Sequence, residues 1–279
     1  MRIAACPGLP RNAMPTTLNV SQVATISDFM HFVEQRTTTH WYRGCGESCH
    51  TLVPSLYRHP TVTDPDALLK LEVEMIKRFR QRSIPFLASP LDPDDLNVLF
   101  LMQHFGVPTR LLDWTENPYI ALYFALTAAK PAPGTGTNYN ADAAIWALDP
   151  ASWNSKAVPF TPPIGIISPP NDDALNGYLP KEDISRRRPD PVALYGAYNS
   201  PRIVAQRGAF CLFGKNVTPM ESAYTGAGYP PDCLLKLEIP ANRIADLLTS
   251  LTRIGITDSM VLMIGIWFLC ARLYSALRG

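Results

Sequence analysis

Neither charge is in excess in this sequence. Lys and Arg number 25 against 24 Asp and Glu, a net charge of +1. A chain whose main partner is duplex nucleic acid needs a basic face to release counterions, so that role is not expected. Charged residues are only 18% and hydrophobic ones 47%, which excludes a disordered chain. The uncharged stretch Met260–Ala271 has twelve residues, short of the roughly 20 that span a bilayer. Prolines interrupt the N-terminus, so it lacks the apolar core of a secretory signal. The six cysteines are scattered and form no C-x-x-C pair, as expected of free thiols in the cytoplasm. Cys45, Cys49 and His50 lie close together, but no second ligand pair accompanies them and no metal is expected. The phosphate-binding G-x-x-x-x-G-K-S/T, the dinucleotide G-x-G-x-x-G, H-E-x-x-H and G-x-S-x-G are all missing. P-loop hydrolysis, dinucleotide oxidoreduction, zinc proteolysis and α/β-hydrolase chemistry are therefore set aside. Proline, by contrast, is abundant: its 27 residues are about twice the usual ~5% and rule out one long helical bundle.

The length suits one large domain. Residues 1–20 read as an irregular arm, residues 21–258 as the domain proper and residues 259–279 as an apolar tail. Hydrophobic spacing predicts helices over Val23–Arg36, Asp66–Arg82 and Asp94–Phe105, the first capped by Ser21. Asn117 and Pro118 open a further helix, PYIALYFALTAA, apolar nearly all round and therefore central. Extended segments are expected at Thr39–Arg43, Pro108–Trp114, Ala143–Leu148, Ile203–Leu212 and Leu234–Ile239. A short helix is expected at Asn242–Ile254, and residues 149–200 read as mostly irregular. Helices crowd the first half and strands the second without regular alternation, which favours an α+β fold.

Two segments are chemically dense. In Trp41-Tyr42-Arg43-Gly44, a strand-end guanidinium stands beside backbone N–H groups, an arrangement suited to phosphate or carboxylate. In Gln103–Trp114, His104, Thr109, Arg110, Asp113 and Trp114 crowd a helix exit and a short strand. Alternation puts Thr109 and Asp113 on one face and Arg110 and Trp114 on the other. An Arg110–Asp113 ion pair is expected to be structural on the Arg110 side.

These residues resemble the FRG domain family, named for its F/Y-R-G motif. Tyr42-Arg43-Gly44 matches the naming motif, and Leu52–Arg58 resembles the segment that follows it. Gln103–Ala125 reads QHxGxPTRLLDWTxNPxxALYFA. Asp142–Pro150, Arg202-Ile203 and Gln206–Phe210 resemble later elements, so the resemblance runs from about residue 22 to about residue 258.

The motif order also resembles ADP-ribosyltransferases. That resemblance implies helices of the N-terminal half packed on a mixed, mostly antiparallel sheet, and NAD as substrate. It further implies a catalytic set of Arg43, Thr109, Asp113 and Gln206, with Tyr42, Gly44, His104 and Trp114 binding the ligand and the aromatics free to stack. The corresponding role would be a toxin or anti-phage effector acting on a macromolecular acceptor that the sequence does not name. The chain departs from that pattern on its late strand, where Gln206-Arg207-Gly208 offers an amide in place of a carboxylate. An amide cannot balance an oxocarbenium charge, so the alternative is a non-catalytic module for a nucleotide-like ligand. The tail, where the family commonly has F-P-D-L-D-G-L, is instead apolar and suited to contact with a partner chain.

Overall fold

Polar caps set where the early helices begin. Thr25, rather than Ser21, caps α1 (Ile26–Glu34) through a reciprocal pair of hydrogen bonds with Asp28. Asp64 caps α2 (Pro65–Ser83), Asp94 caps α3 (Asp95–His104) and Asn117 caps α4 (Pro118–Ala128). The computed structural model describes residues 16–86, 91–132, 138–158, 165–169, 173–196, 207–226 and 228–262.

Seven strands form one sheet: β1 (Asn19–Gln22), β2 (Trp41–Cys45), β3 (Leu111–Thr115), β4 (Ala143–Leu148), β5 (Val192–Tyr195), β6 (Gly208–Leu212) and β7 (Leu234–Ile239). Their order is β1-β7-β4-β2-β3-β6-β5. β1 runs parallel to β7 and the other neighbours are antiparallel. The fold is thus α+β on a mixed, mostly antiparallel sheet. Helices also occur in the second half: α5 (Pro150–Ala157), α6 (Met220–Gly226), α7 (Ile244–Arg253) and α8 (Asp258–Leu262). α5 falls in a stretch read as irregular because of its prolines. Pro150 stands at the first helical position behind the Asp149 cap, where proline is compatible with a helix. β1 pairs within the segment read as an arm, and β5 is too short to show a period. Among the described residues no helix is long and apolar enough to cross a membrane. Most of the uncharged stretch from Met260 lies outside the described residues.

Two apolar clusters hold the elements together. One joins α1, α4 and α7 to β2, β4 and β7; the other joins α3, α5 and α6 to β3, β5 and β6. α4 is central, with Ile120 and Leu122 buried and Phe124 half-buried. It crosses β2 at Gly44, where a Cβ would overlap the backbone of Ala121 and Ala125. The glycine of the Tyr42-Arg43-Gly44 motif is therefore a helix–strand contact. Gly106 answers a different need. It ends α3 at φ +72°, with Gly106 N–H donating to Gln103 O at 3.1 Å and Val107 N–H to Met102 O at 3.0 Å, a Schellman closure.

The expected Arg110–Asp113 pair does not form. Residues three apart on an extended strand face opposite ways. Arg110 turns into the core, fully buried, and its Nε donates to both carboxylate oxygens of Glu72 at 2.9 Å. Its Nη1 donates to Phe213 O at 2.7 Å and its Nη2 to Tyr178 O. One guanidinium thus ties α2, the Tyr178 turn and the end of β6 to the start of β3.

Denaturant unfolding should separate these roles. Gly44→Ala is expected to cost at least about 2 kcal/mol by overpacking against backbone. Gly106→Ala, with open space around its Cβ, should cost only about 1 kcal/mol from the positive φ. Arg110→Met should lose roughly 3–5 kcal/mol by stranding the Glu72 charge. The double change Arg110→Met/Glu72→Leu should recover at least half of that loss, because the stranded Glu72 charge is then removed.

Candidate functional site

A cavity of about 340 Å³ opens between α3, α4 and the sheet. β2 and β3 share the single pair Tyr42–Thr115, and the cavity lies where they meet. α3 contributes Phe100, Gln103 and His104; α4 contributes Ile120, Ala121, Phe124 and Ala128; the sheet contributes Tyr42, Arg43, Gly44, Asp113, Trp114, Thr115, Gly208 and Phe210.

The dense motif builds this geometry step by step. The Gly106 closure ends α3, and Pro108 keeps the chain extended as it turns back. Thr109 then returns to the helix it has just left. Its backbone is held by the segment after Gly44: Ser55 Oγ accepts from Thr109 N–H at 3.2 Å, and Leu56 N–H donates to Thr109 O at 3.0 Å. Arg110 anchors inward, and Asp113 emerges on the cavity side of β3. Thr115 Oγ1 accepts from Asn117 N–H at 3.0 Å. Asn117 Oδ1 caps α4 by accepting from Tyr119 N–H, also at 3.0 Å.

Of the eight residues expected at the site, six line the cavity: Tyr42, Arg43, Gly44, His104, Asp113 and Trp114. Arg43 Nη1 donates to Asp113 O at 2.6 Å, which occupies one of the five guanidinium N–H groups. Trp114 lies on the opposite strand face from Asp113, so its ring is not the natural stacking surface. Tyr42, Phe100, Phe124 and Phe210 are the aromatics around the cavity. Thr109 does not line it; the residue is fully buried. Its hydroxyl instead donates to Gln103 Oε1 at 2.6 Å, and Gln103 Nε2 donates to Asp113 Oδ2 at 2.7 Å. Gln206 lies outside the described residues. Further along the chain, Gly208 and Phe210 of β6 line the cavity.

Gln103 is the polar residue that the sequence reasoning passed over. Its signal was present: Phe100, Gln103 and His104 stand at i, i+3 and i+4, one face of an otherwise apolar helix. The cysteines near the motif do not gather. Cys45 is buried, which pushes its thiol up, whereas Cys49 is exposed. Among the described residues no group of three or more His, Cys, Asp or Glu could hold a metal ion.

Tyr42 is only 4% exposed. Burial pushes its phenol up to about 12, against a weaker pull from Arg36. The folded state thus favours the neutral phenol. The associated stability is complete below the ordinary phenol range near 10 and is lost as pH rises toward 12. Denaturant unfolding across that range should show the wild type losing roughly 1–3 kcal/mol more than Tyr42→Phe.

No curated protein and no solved structure matches the chain. The FRG domain model matches residues 38–133. That segment contains β2, α2, α3, β3 and α4, and with them all the cavity residues except Gly208 and Phe210. Residues 38–133, about a third of the chain, are thus similar to the FRG domain.

Proposed function

We propose that the cavity binds the nicotinamide–ribose end of NAD and supports an ADP-ribosyltransferase-like cleavage. The observation that carries this reading is the Asp113 carboxylate, held at the cavity by Gln103, with the Arg43 guanidinium bonded to the Asp113 main-chain carbonyl. A volume near 340 Å³ sits at the small end of ligand pockets and suits one nucleoside unit, with the rest of the dinucleotide outside. Phe124 is half-buried and supplies apolar surface, backed by the buried rings of Tyr42, Phe100 and Phe210. Arg43 is the donor for ribose or phosphate oxygens. In the reaction the C–N glycosidic bond breaks, nicotinamide leaves with the bonding pair, and positive charge develops on the ribose. Asp113 faces that charge. Water or an acceptor hydroxyl then attacks the anomeric carbon and loses its proton.

A second reading, a non-catalytic module for a nucleotide-like ligand, is favoured by one observation. β6 offers Gly208 and Phe210 at the cavity, with no carboxylate of its own. Incubation with NAD labelled in the nicotinamide separates the two readings. The catalytic reading expects slow release by the wild type and a loss of about 10²–10³-fold in Asp113→Asn, the scale of one electrostatic stabiliser. Arg43→Ala should weaken NAD binding while the melting temperature stays near that of the wild type. Ala128→Phe, at an exposed position on the cavity lining, should block binding and leave the fold intact. Binding without release would establish the module; no binding by the wild type would overturn both.

A further inference from the structure

The hydrogen bonds behind Asp113 have a single direction. Leu111 N–H, rigid in β3, donates to Thr109 Oγ1 at 3.1 Å. That contact fixes the hydroxyl as acceptor on one side, so its proton points at Gln103 Oε1, 2.6 Å away. With its oxygen committed to Thr109, the Gln103 amide turns its nitrogen to Asp113 Oδ2 at 2.7 Å. The flipped amide would set oxygen against carboxylate oxygen and leave the buried Thr109 hydroxyl without an acceptor, an arrangement that costs free energy at both ends. A backbone N–H thus dictates the threonine, the threonine dictates the glutamine, and the glutamine meets Asp113 only as a donor.

We infer that Gln103 is the positioning residue of this cavity: backed by Thr109, it holds Asp113 as an acceptor toward the ligand, and the donor it meets there is a sugar hydroxyl. This inference rests on the reading of the cavity as a ligand site. Among the described residues Asp113 Oδ1 receives no hydrogen bond, and the side chain is exposed at the cavity. Arg43, whose Nη1 donates to the Asp113 main-chain carbonyl, is donor-only. The cavity therefore suits a ligand with a donor group at Asp113 and an acceptor oxygen for Arg43. A ribose bearing phosphate offers both; a bare diacid or inorganic phosphate does not, because it places anion against anion at Asp113.

Two measurements test this, one of them free of ligand. In ¹⁵N spectra, the Gln103 side-chain NH₂ resonance, assigned by its loss in Gln103→Leu, should shift and exchange faster in Thr109→Val. Thr109→Ser keeps the hydroxyl and should restore the wild-type signal. An unmoved resonance in Thr109→Val overturns the relay. In calorimetric titration with NAD, Gln103→Leu and Thr109→Val should each weaken affinity at least 10-fold, while Thr109→Ser stays within about 3-fold of wild type. An NAD analogue lacking the ribose hydroxyls should bind wild type and Asp113→Asn equally. Wild-type affinity in Gln103→Leu, or an analogue that still distinguishes Asp113→Asn from wild type, overturns the inference. Failure of the wild type to bind NAD overturns the reading of the cavity instead, and the amide resonance still decides whether Gln103 is positioned by Thr109. Gln103 is half-exposed, so its variants should fold, and the peak dispersion of the same ¹⁵N spectra reports on any that do not.

Discussion

The buried guanidinium of Arg110 is the constraint on which the site depends. It has no access to water, and its hydrogen bonds reach three separate parts of the chain. A buried cation of this kind is tolerated only with its partners in place, so the start of β3 has one position relative to α2 and the end of β6. Strand alternation does the rest. With residue 110 turned into the core, Thr109 must turn back toward α3, and Asp113 must emerge on the opposite side to Arg110.

A second constraint acts from α4. That helix can lie across β2 because Gly44 has no side chain, and the closeness of the contact sets the width of the cavity on that side. α3 walls the other side, and its stop at Gly106 lets the chain turn back so that Thr109 returns to Gln103. The cavity is therefore the gap left between a helix pressed onto the sheet and a helix tied back to it. Its polar equipment sits on the rigid strands and on the last turn of α3 rather than on long loops, which favours fixed over adaptive recognition.

Much of the FRG motif is accounted for by support. Gly44 admits α4, and Gly106 closes α3. Ser55 and Leu56 hold the Thr109 backbone, Arg110 anchors β3, and Thr115 and Asn117 start α4. Arg43, Gln103, His104 and Asp113 remain as polar residues lining the cavity. That division explains why so dense a motif surrounds so small a pocket.

The sequence by itself determined the helices with strong caps and periods, the strands of uninterrupted apolar residues, and the segments where polar groups crowd. These are local properties, carried by a cap hydrogen bond or by the burial pattern of one element. Only the tertiary structure decided which polar groups meet. Nothing local could pair Arg110 with Glu72 rather than Asp113, since the partner lies 38 residues away and the choice turns on which face the strand presents. The same holds for Gln103 and for Gly44. The role of one comes from a hydroxyl on the returning strand, and that of the other from a helix backbone far along the chain. Both became visible only once the sheet order had brought those segments together.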